Sequence, residues 1–393
     1  MDFPPLRFGK KFSRALCSLL SAVVFAVPVA LVFFPSSSYS EQENRMLATF
    51  PIFSGESLLE GNYTESVAAY LSDHLPLRST LLKAKSLAEY AAMKGENNNV
   101  IAARDGYLVK RFEYTDEQLD TLNTNLEILS SLTYVLQERG HPVTVLCAPR
   151  AIDVLADLCP KSLCEIRSPW KILGEAHISH LTVTELLGEK VAEGQPVWFR
   201  TDHHWTALGA YYAYTALGDS LGFDPYPLSD FSSSTVSNGF LGTTYSSCLL
   251  PMTRPDAITI LRYEGDDRFI CVDPLTKTSS EGFYCSEKLA TKDQYEYFLG
   301  GNTAHLRISK SGEVPRKTLL VIKDSYAQSL VPFLARHFDI ELIDLRYFRT
   351  DAADAILQAL RSSHYAGTLI LFNIDTLTGN AGLENLAVEK LKQ

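Results

Sequence analysis

From Thr318 onward the chain alternates short apolar runs with helix-like segments, and this alternation constrains the fold more than any other feature. The run from Thr318 breaks at Asp324-Ser325 and is followed by a helical segment to His337. A second run, Ile340 to Asp344, leads to a helix capped near Thr350-Asp351, and a third spans Thr368 to Phe372. Strands separated by helices need crossover connections, and these set the strands parallel. The expected class is α/β, a parallel sheet flanked by helices. In such sheets functional groups gather at the carboxyl ends of the strands. Ser325 stands at one of those ends.

The upstream chain is read less regularly. Residues 41–99 form a linker and helical region, with a helix expected from Ala68 to Met93 and stops at Gly95 and Asn97 to Asn99. Val100 to Phe112 reads as a hairpin, because Asp105-Gly106 between apolar runs suits a left-handed turn. Thr115 to Gln118 is a capping box, and Leu119, Leu122, Leu126, Leu129 and Leu132 recur at helical spacing until Gly140. Val143 to Cys147 is a buried strand, Pro196 to Phe199 a short strand, and Trp205 to Leu221 a helix. Residues 224–310 show no clear alternation and read as an irregular or β-rich insertion in a domain spanning 100–393.

With 393 residues, 46% of them hydrophobic and 21% charged, the chain can bury a large core. A net charge of −10 leaves no dense Lys/Arg surface for a phosphate backbone, so nucleic acid is not an expected partner. The first 40 residues depart from that average. Arg7, Lys10, Lys11 and Arg14 precede an uncharged apolar stretch, Ala15 to Phe34, long enough to cross a bilayer with its basic flank inside. Ser38 and Ser40 also offer a signal-peptide cleavage site. Either a signal anchor or a cleaved signal peptide places the remainder outside the cytoplasm, membrane-anchored or secreted.

Of seven cysteines, Cys17 falls in that stretch. The others are Cys147, Cys159, Cys164, Cys248, Cys271 and Cys285; an oxidising compartment permits up to three disulfides among them, in any of about 15 connectivities. Cys159 and Cys164 bracket a short loop and form the favoured local pair. Cys147, inside an apolar strand, reads equally well as a buried thiol.

Two segments carry side chains suited to hydrolytic chemistry. Ser325 opens a helix at a strand end, where helix amides can stabilise an anion, although Asp324 and Ser325 are also good helix caps. The tetrad Asp202-His203-His204-Trp205 holds an Asp-x-His element at a strand-to-helix junction. His204 can take the Ser325 proton while Asp202 fixes its tautomer. Adjacent histidines also suggest a metal, but one Asp and two neighbouring His are too few ligands without a distant donor. Gly301 and Asn302, in Gly300-Gly301-Asn302, and the amide of Ser325 or Tyr326 are candidate oxyanion donors. Asp73-His74 precedes Pro76 and reads as a structural helix end. His305 and Asn373 are possible neighbours of the site.

These residues carry a family resemblance. The tetrad, with Ser40 to Arg45, Asp105 to Leu108, Thr201 to Tyr212, Phe240 to Tyr245, Tyr297 to Asn302 and Lys323 to Ala327, resembles the blocks of the DHHW proteins, a bacterial family. That family is similar in turn to the SGNH-type O-acetyltransferases of exopolysaccharides such as alginate. The resemblance implies an SGNH-hydrolase-like, flavodoxin-like domain with Asp202, His204 and Ser325 as its triad. Lys323 stands where those enzymes carry a glycine, which puts acetyl transfer in question more than the fold. The expectation is an extracytoplasmic serine esterase or O-acyltransferase acting on a cell-envelope or exported polysaccharide. It needs no cofactor, and by family analogy a membrane partner supplies the acyl donor. The alternative is a catalytically silent module that binds glycan or assembles an envelope complex.

Overall fold

The computed structural model describes residues 12–15, 17–18, 21–22, 37–161, 169–176, 178–312, 316–349 and 352–392. The chain divides into two compact units. One comprises residues up to Ala92 with Leu249–Pro251, and the other Met93–Cys248 with Met252–Gln393.

The larger unit is built on one seven-stranded sheet. Its strands are β1 (Val143–Ala148), β2 (Phe269–Asp273), β3 (Thr278–Glu281), β4 (His305–Lys310), β5 (Thr318–Lys323), β6 (Asp339–Ile343) and β7 (Tyr365–Asn373). They lie side by side in the order β3-β2-β4-β6-β5-β7-β1. The run β6-β5-β7-β1 is parallel, as the strand and helix alternation predicts. Strands β4, β2 and β3 extend it antiparallel. The expectation of a purely parallel sheet is therefore corrected to a mixed one, and the segment 224–310 supplies the difference. A short turn joins β2 to β3, with the Asp273 carboxylate accepting from the amides of Leu275 and Thr276 at 2.8 and 3.0 Å. Antiparallel neighbours need no crossover helix, so this segment lacks the alternation that marks the rest.

Alternate residues of β5 point to opposite faces, and both faces are buried. Leu319 and Val321 pack with α2 (Ala207–Leu221) and α4 (Ala327–Leu334). Leu320 and Ile322 pack with α1 (Asp116–Glu138) and α5 (Ala353–Leu360). Burial on both sides explains why the central strands read as unbroken apolar runs. The capping box opens α1 as expected: Gln118 N donates to Thr115 Oγ1 at 3.2 Å, and Thr115 N to Gln118 Oε1 at 3.1 Å. The predicted cap at Thr350-Asp351 lies outside the described residues.

The hairpin forms between Val100–Ala102 and Leu108–Lys110, with Asp105 and Gly106 at φ of 58° and 78°. Pro196 to Phe199 is not a strand of the sheet. It lies against the start of α2, where Thr206 N donates to Val197 O, and a Cβ on Gly209 would sit 2.2 Å from that same oxygen.

In the smaller unit the predicted helix Ala68 to Met93 is two, Asn62–Asp73 and Arg78–Ala91. Pro76 offers no amide donor, and Leu77 takes a φ of 60°, so the chain turns there. Asp73 accepts both Nη groups of Arg45, at 2.8 and 2.5 Å, and its carboxyl is lowered to about 2 chiefly by that pairing. His74 Nδ1 meets Tyr70 O, so Asp73-His74 is the structural pair expected.

No helix among the described residues is long and apolar enough to cross a membrane. The stretch Ala15 to Phe34 falls largely outside the described residues, as does Cys164 with its suggested bond to Cys159. Cys147 is a buried free thiol in β1.

Candidate active site

Strand β5 ends at Lys323 and α4 begins at Ala327, so Asp324 and Ser325 occupy the turn at the carboxyl edge of the sheet. Asp324 is fully buried and braces this turn. It accepts from Tyr326 N at 3.0 Å, from Asn373 N at 2.6 Å and from Thr376 Oγ1 at 2.8 Å. Ser325 is left facing a cavity of about 360 Å³.

The loop before α2 delivers the imidazole. His204 Nε2 lies 2.8 Å from Ser325 Oγ, and Nδ1 lies 2.6 Å from Asp202 Oδ1. An ionised carboxylate only accepts, so Nδ1 carries the proton and Nε2 is free to accept from the serine. Asp202 Oδ1 also takes the His204 amide at 3.0 Å, while Oδ2 takes Thr243 N at 2.8 Å and Thr243 Oγ1 at 3.0 Å. Burial opposes its ionisation, but the two histidines and these donors outweigh that and hold its pKa far below the usual range. Thr243 opens α3 (Thr243–Cys248), and a Cβ on Gly242 just before it would sit 2.3 Å from Asp202 Cβ.

Aromatic groups fix the remaining freedom. The Tyr295 ring stacks on His204 with centroids 3.8 Å apart and planes 6° apart. Its hydroxyl contacts Ser325 O at 3.2 Å and Ser329 Oγ at 3.1 Å. Trp205 Nε1 donates to Tyr326 O at 3.1 Å and to Ser329 Oγ at 3.0 Å. The Tyr326 hydroxyl donates to His203 O. The last two residues of the tetrad are thus tied to both sides of the serine turn.

His203 points elsewhere, as its neighbour's role requires. Thr243 Oγ1 gives its own proton to Asp202, so it accepts from His203 Nδ1 at 2.5 Å. The surrounding protein and the His204 charge push the His203 pKa down. Asp202, His203 and His204 are the group among the described residues whose ligand atoms, all within 4.8 Å, are close enough for a metal ion. Hydrogen bonds already engage the Asp202 oxygens and the His204 ring, which leaves His203 Nε2 as the uncommitted ligand.

The predicted oxyanion residues are not gathered in the same way. Tyr326 lines the cavity, but its amide is spent on Asp324. The Ser325 amide has no acceptor among the described residues. Gly301 and Asn302 do not line the cavity. A Cβ on Gly301 would meet the Glu296 carboxylate at 2.9 Å, and Asn302 Oδ1 accepts from Lys323 Nζ at 2.7 Å and Gln328 Nε2 at 2.8 Å. Lys323 itself is 1% exposed and turned away from the site, paired with Asp344 at 3.0 Å. His305 is buried against Glu341, away from the cavity lining. Asn373 lines the cavity, with its amide nitrogen donating to Ala148 O and Pro149 O at 3.1 and 2.8 Å.

A family model described as DHHW protein matches residues 175–343, a span that holds all three members of the Asp202, His204 and Ser325 constellation. The chain is similar to DHHW proteins. A second model, described as SGNH hydrolase-like domain, acetyltransferase AlgX, matches residues 100–235. Among solved structures, a DHHW family protein from Eubacterium siraeum is 21% identical, covers 74% of this chain and 96% of its own, and has a TM-score of 0.56. Bacillus cereus PatB1 is 17% identical, covers 72% of this chain and 98% of its own, and has a TM-score of 0.58. The same protein with a sulfonyl adduct covers 73% and 99%, at 17% identity and a TM-score of 0.57. At these identities the likeness shows a shared fold. No curated protein matches the chain. The block Phe240 to Tyr245 belongs to the DHHW resemblance, but that reading gave Gly242 and Thr243 no part in the site, and it did not include Tyr295. A glycine followed by two threonines at a helix start was the signal available for the first two.

Proposed function

We propose that the chain is a serine esterase or O-acyltransferase that works on a cell-envelope or exported polysaccharide outside the cytoplasm. One observation carries this reading: a serine hydroxyl, an imidazole and a buried carboxylate in hydrogen-bonded series at the wall of a cavity. The family model described as an SGNH hydrolase-like acetyltransferase supports the reaction class.

In this reading Ser325 Oγ attacks an ester carbonyl and His204 Nε2 takes its proton. Asp202 holds the ring and stabilises the imidazolium, and the unpaired Ser325 amide donates to the developing oxyanion. His204 returns the proton to the leaving alcohol, which leaves an acyl group on Ser325. Water or a sugar hydroxyl then takes up the acyl group by the reverse sequence. The chemistry is complete without a cofactor. A membrane-bound partner as acyl donor belongs to the same proposal, through the family analogy.

The test is labelling of the folded protein with a fluorophosphonate. Wild type should label at Ser325, Ser325→Ala should not label, and His204→Ala should label at least about a thousandfold more slowly. Absence of labelling in folded wild type, with glycan still retained by both variants, would establish the silent binding module instead.

A further inference from the structure

Asp375 is the carboxylate in the lining of the cavity, and it is partnered unlike Asp202, Asp324 and Asp344 nearby. Asp202 accepts four hydrogen bonds and Asp324 three. Asp344 is clamped between Lys323 and Arg346. Asp375 lines the cavity with a single side-chain donor, the hydroxyl of Tyr114 on Oδ1. Its other oxygen accepts nothing among the described residues and is not sealed from solvent. Asp375 is half-buried, and this oxygen is left open to accept from a ligand hydroxyl in the cavity.

The carboxyl is held in place from behind. Tyr114 accepts from Arg150 Nη1 at 2.8 Å, and Asp153 grips Arg150 at 2.8 and 2.6 Å. Trp170 Nε1 donates to Asp153 at 2.9 Å and closes the series. Beside it the Phe112 ring also lines the cavity, parallel to Tyr114 with planes 9° apart and centroids at 6.0 Å, and Lys110 Nζ, another lining group, lies over the ring 4.8 Å from its centroid. A fixed acceptor next to an aromatic face matches a pyranose, which offers donor hydroxyls at its rim and C–H groups on its face.

On the proposed transferase reading, we infer that Asp375 and Phe112 form the acceptor subsite, where a pyranose stacks on Phe112 and donates a hydroxyl to Asp375. A neighbouring hydroxyl then faces the acyl group on Ser325. Its oxygen bonds to the acyl carbon, its proton passes to His204, the acyl bond to Ser325 Oγ breaks, and His204 returns the proton to Oγ. Asp375 is a positioning residue in this step, and it touches the acceptor rather than the reacting bond.

Two measurements test the subsite. The first is calorimetric binding of cellotetraose and chitotetraose to Ser325→Ala, which cannot turn over. At least one should bind, and binding should weaken tenfold or more when Asp375→Asn or Phe112→Ala is added. No binding of either sugar, or unchanged affinity with Asp375→Asn, would overturn the subsite. The second uses p-nitrophenyl acetate as donor and the bound sugar as acceptor. The ratio of acetylated sugar to free acetate should fall tenfold or more in Asp375→Asn, whereas a merely structural defect lowers both products together and leaves the ratio unchanged. Binding that depends on Asp375 in a protein whose Ser325 resists the fluorophosphonate would sink the catalytic reading and leave the subsite standing.

Discussion

Gly242 is the residue on which the orientation of His204 turns. A methyl group there would meet the Asp202 side chain at 2.3 Å, so Gly242→Ala must displace the carboxylate that sets the imidazole tautomer. We expect this variant to fold yet to label at Ser325 about ten-thousandfold more slowly, close to Asp202→Asn, as the loss of the orienting acid predicts. Labelling at the wild-type rate would show that the loop has room the geometry denies. The Asp-x-His element and Ser325 were legible in the sequence because each is a local motif at a predictable junction. Gly242 and Thr243 were not, since they serve a carboxylate about 40 positions away, and such a pairing leaves no local pattern. Gly301 and Asn302 were misread for the same reason: a turn of small residues shows that backbone can approach something, not what it approaches.

A pH dependence follows at the same scale. Burial is the chief cause that raises Asp375 and Asp293 to about 6, from 3.8. Between those two values the folded protein keeps protons that the unfolded chain has released, so stability contributed by these groups falls as pH rises from about 4 to about 6. Asp375→Asn and Asp293→Asn should each flatten that slope and gain stability relative to wild type at pH 7. Urea unfolding at pH 4, 5, 6 and 7 checks it, and a slope unchanged in both variants refutes it.

At the level of elements, the end of β5 deserves its unusual lysine. The ammonium of Lys323 lies between Asp344 and Asn302, and Asp344 in turn holds Arg346, which lines the cavity. Lys323 therefore supports the site from behind, and the position does not obstruct the serine. Removing one partner of a buried pair strands the other charge, so Lys323→Met should cost about 3–5 kcal/mol in chemical denaturation. A cost below about 1 kcal/mol would mean that Arg346 alone satisfies Asp344. The parallel core was legible because β5 and β7 are apolar on both faces. Strands β2 to β4 were hidden by their mixture of polar and apolar residues and by the short turn between β2 and β3. Pro196 to Phe199 misled in the opposite direction: it is apolar because it is buried against α2, and among the described residues it forms only an isolated bridge, Trp198 to Trp205, outside the large sheet.

For the whole molecule, the basic flank and the apolar stretch Ala15 to Phe34 lead us to propose export, with the chain from about residue 41 onward outside the cytoplasm. The full chain should then fractionate with membranes and be cut by protease added to the outside of intact spheroplasts. Recovery in the cytoplasmic fraction would overturn that placement. The hydroxyl and the imidazole that meet at 2.8 Å are separated by 121 positions along the chain. No partial length of polypeptide that stops short of Ser325 can bring them together, and neither can an extended one in transit. On the proposed reading, the nucleophile is therefore withheld until Ser325 has been made and the two loops have folded together, so a growing chain shorter than that carries none for its surroundings to meet.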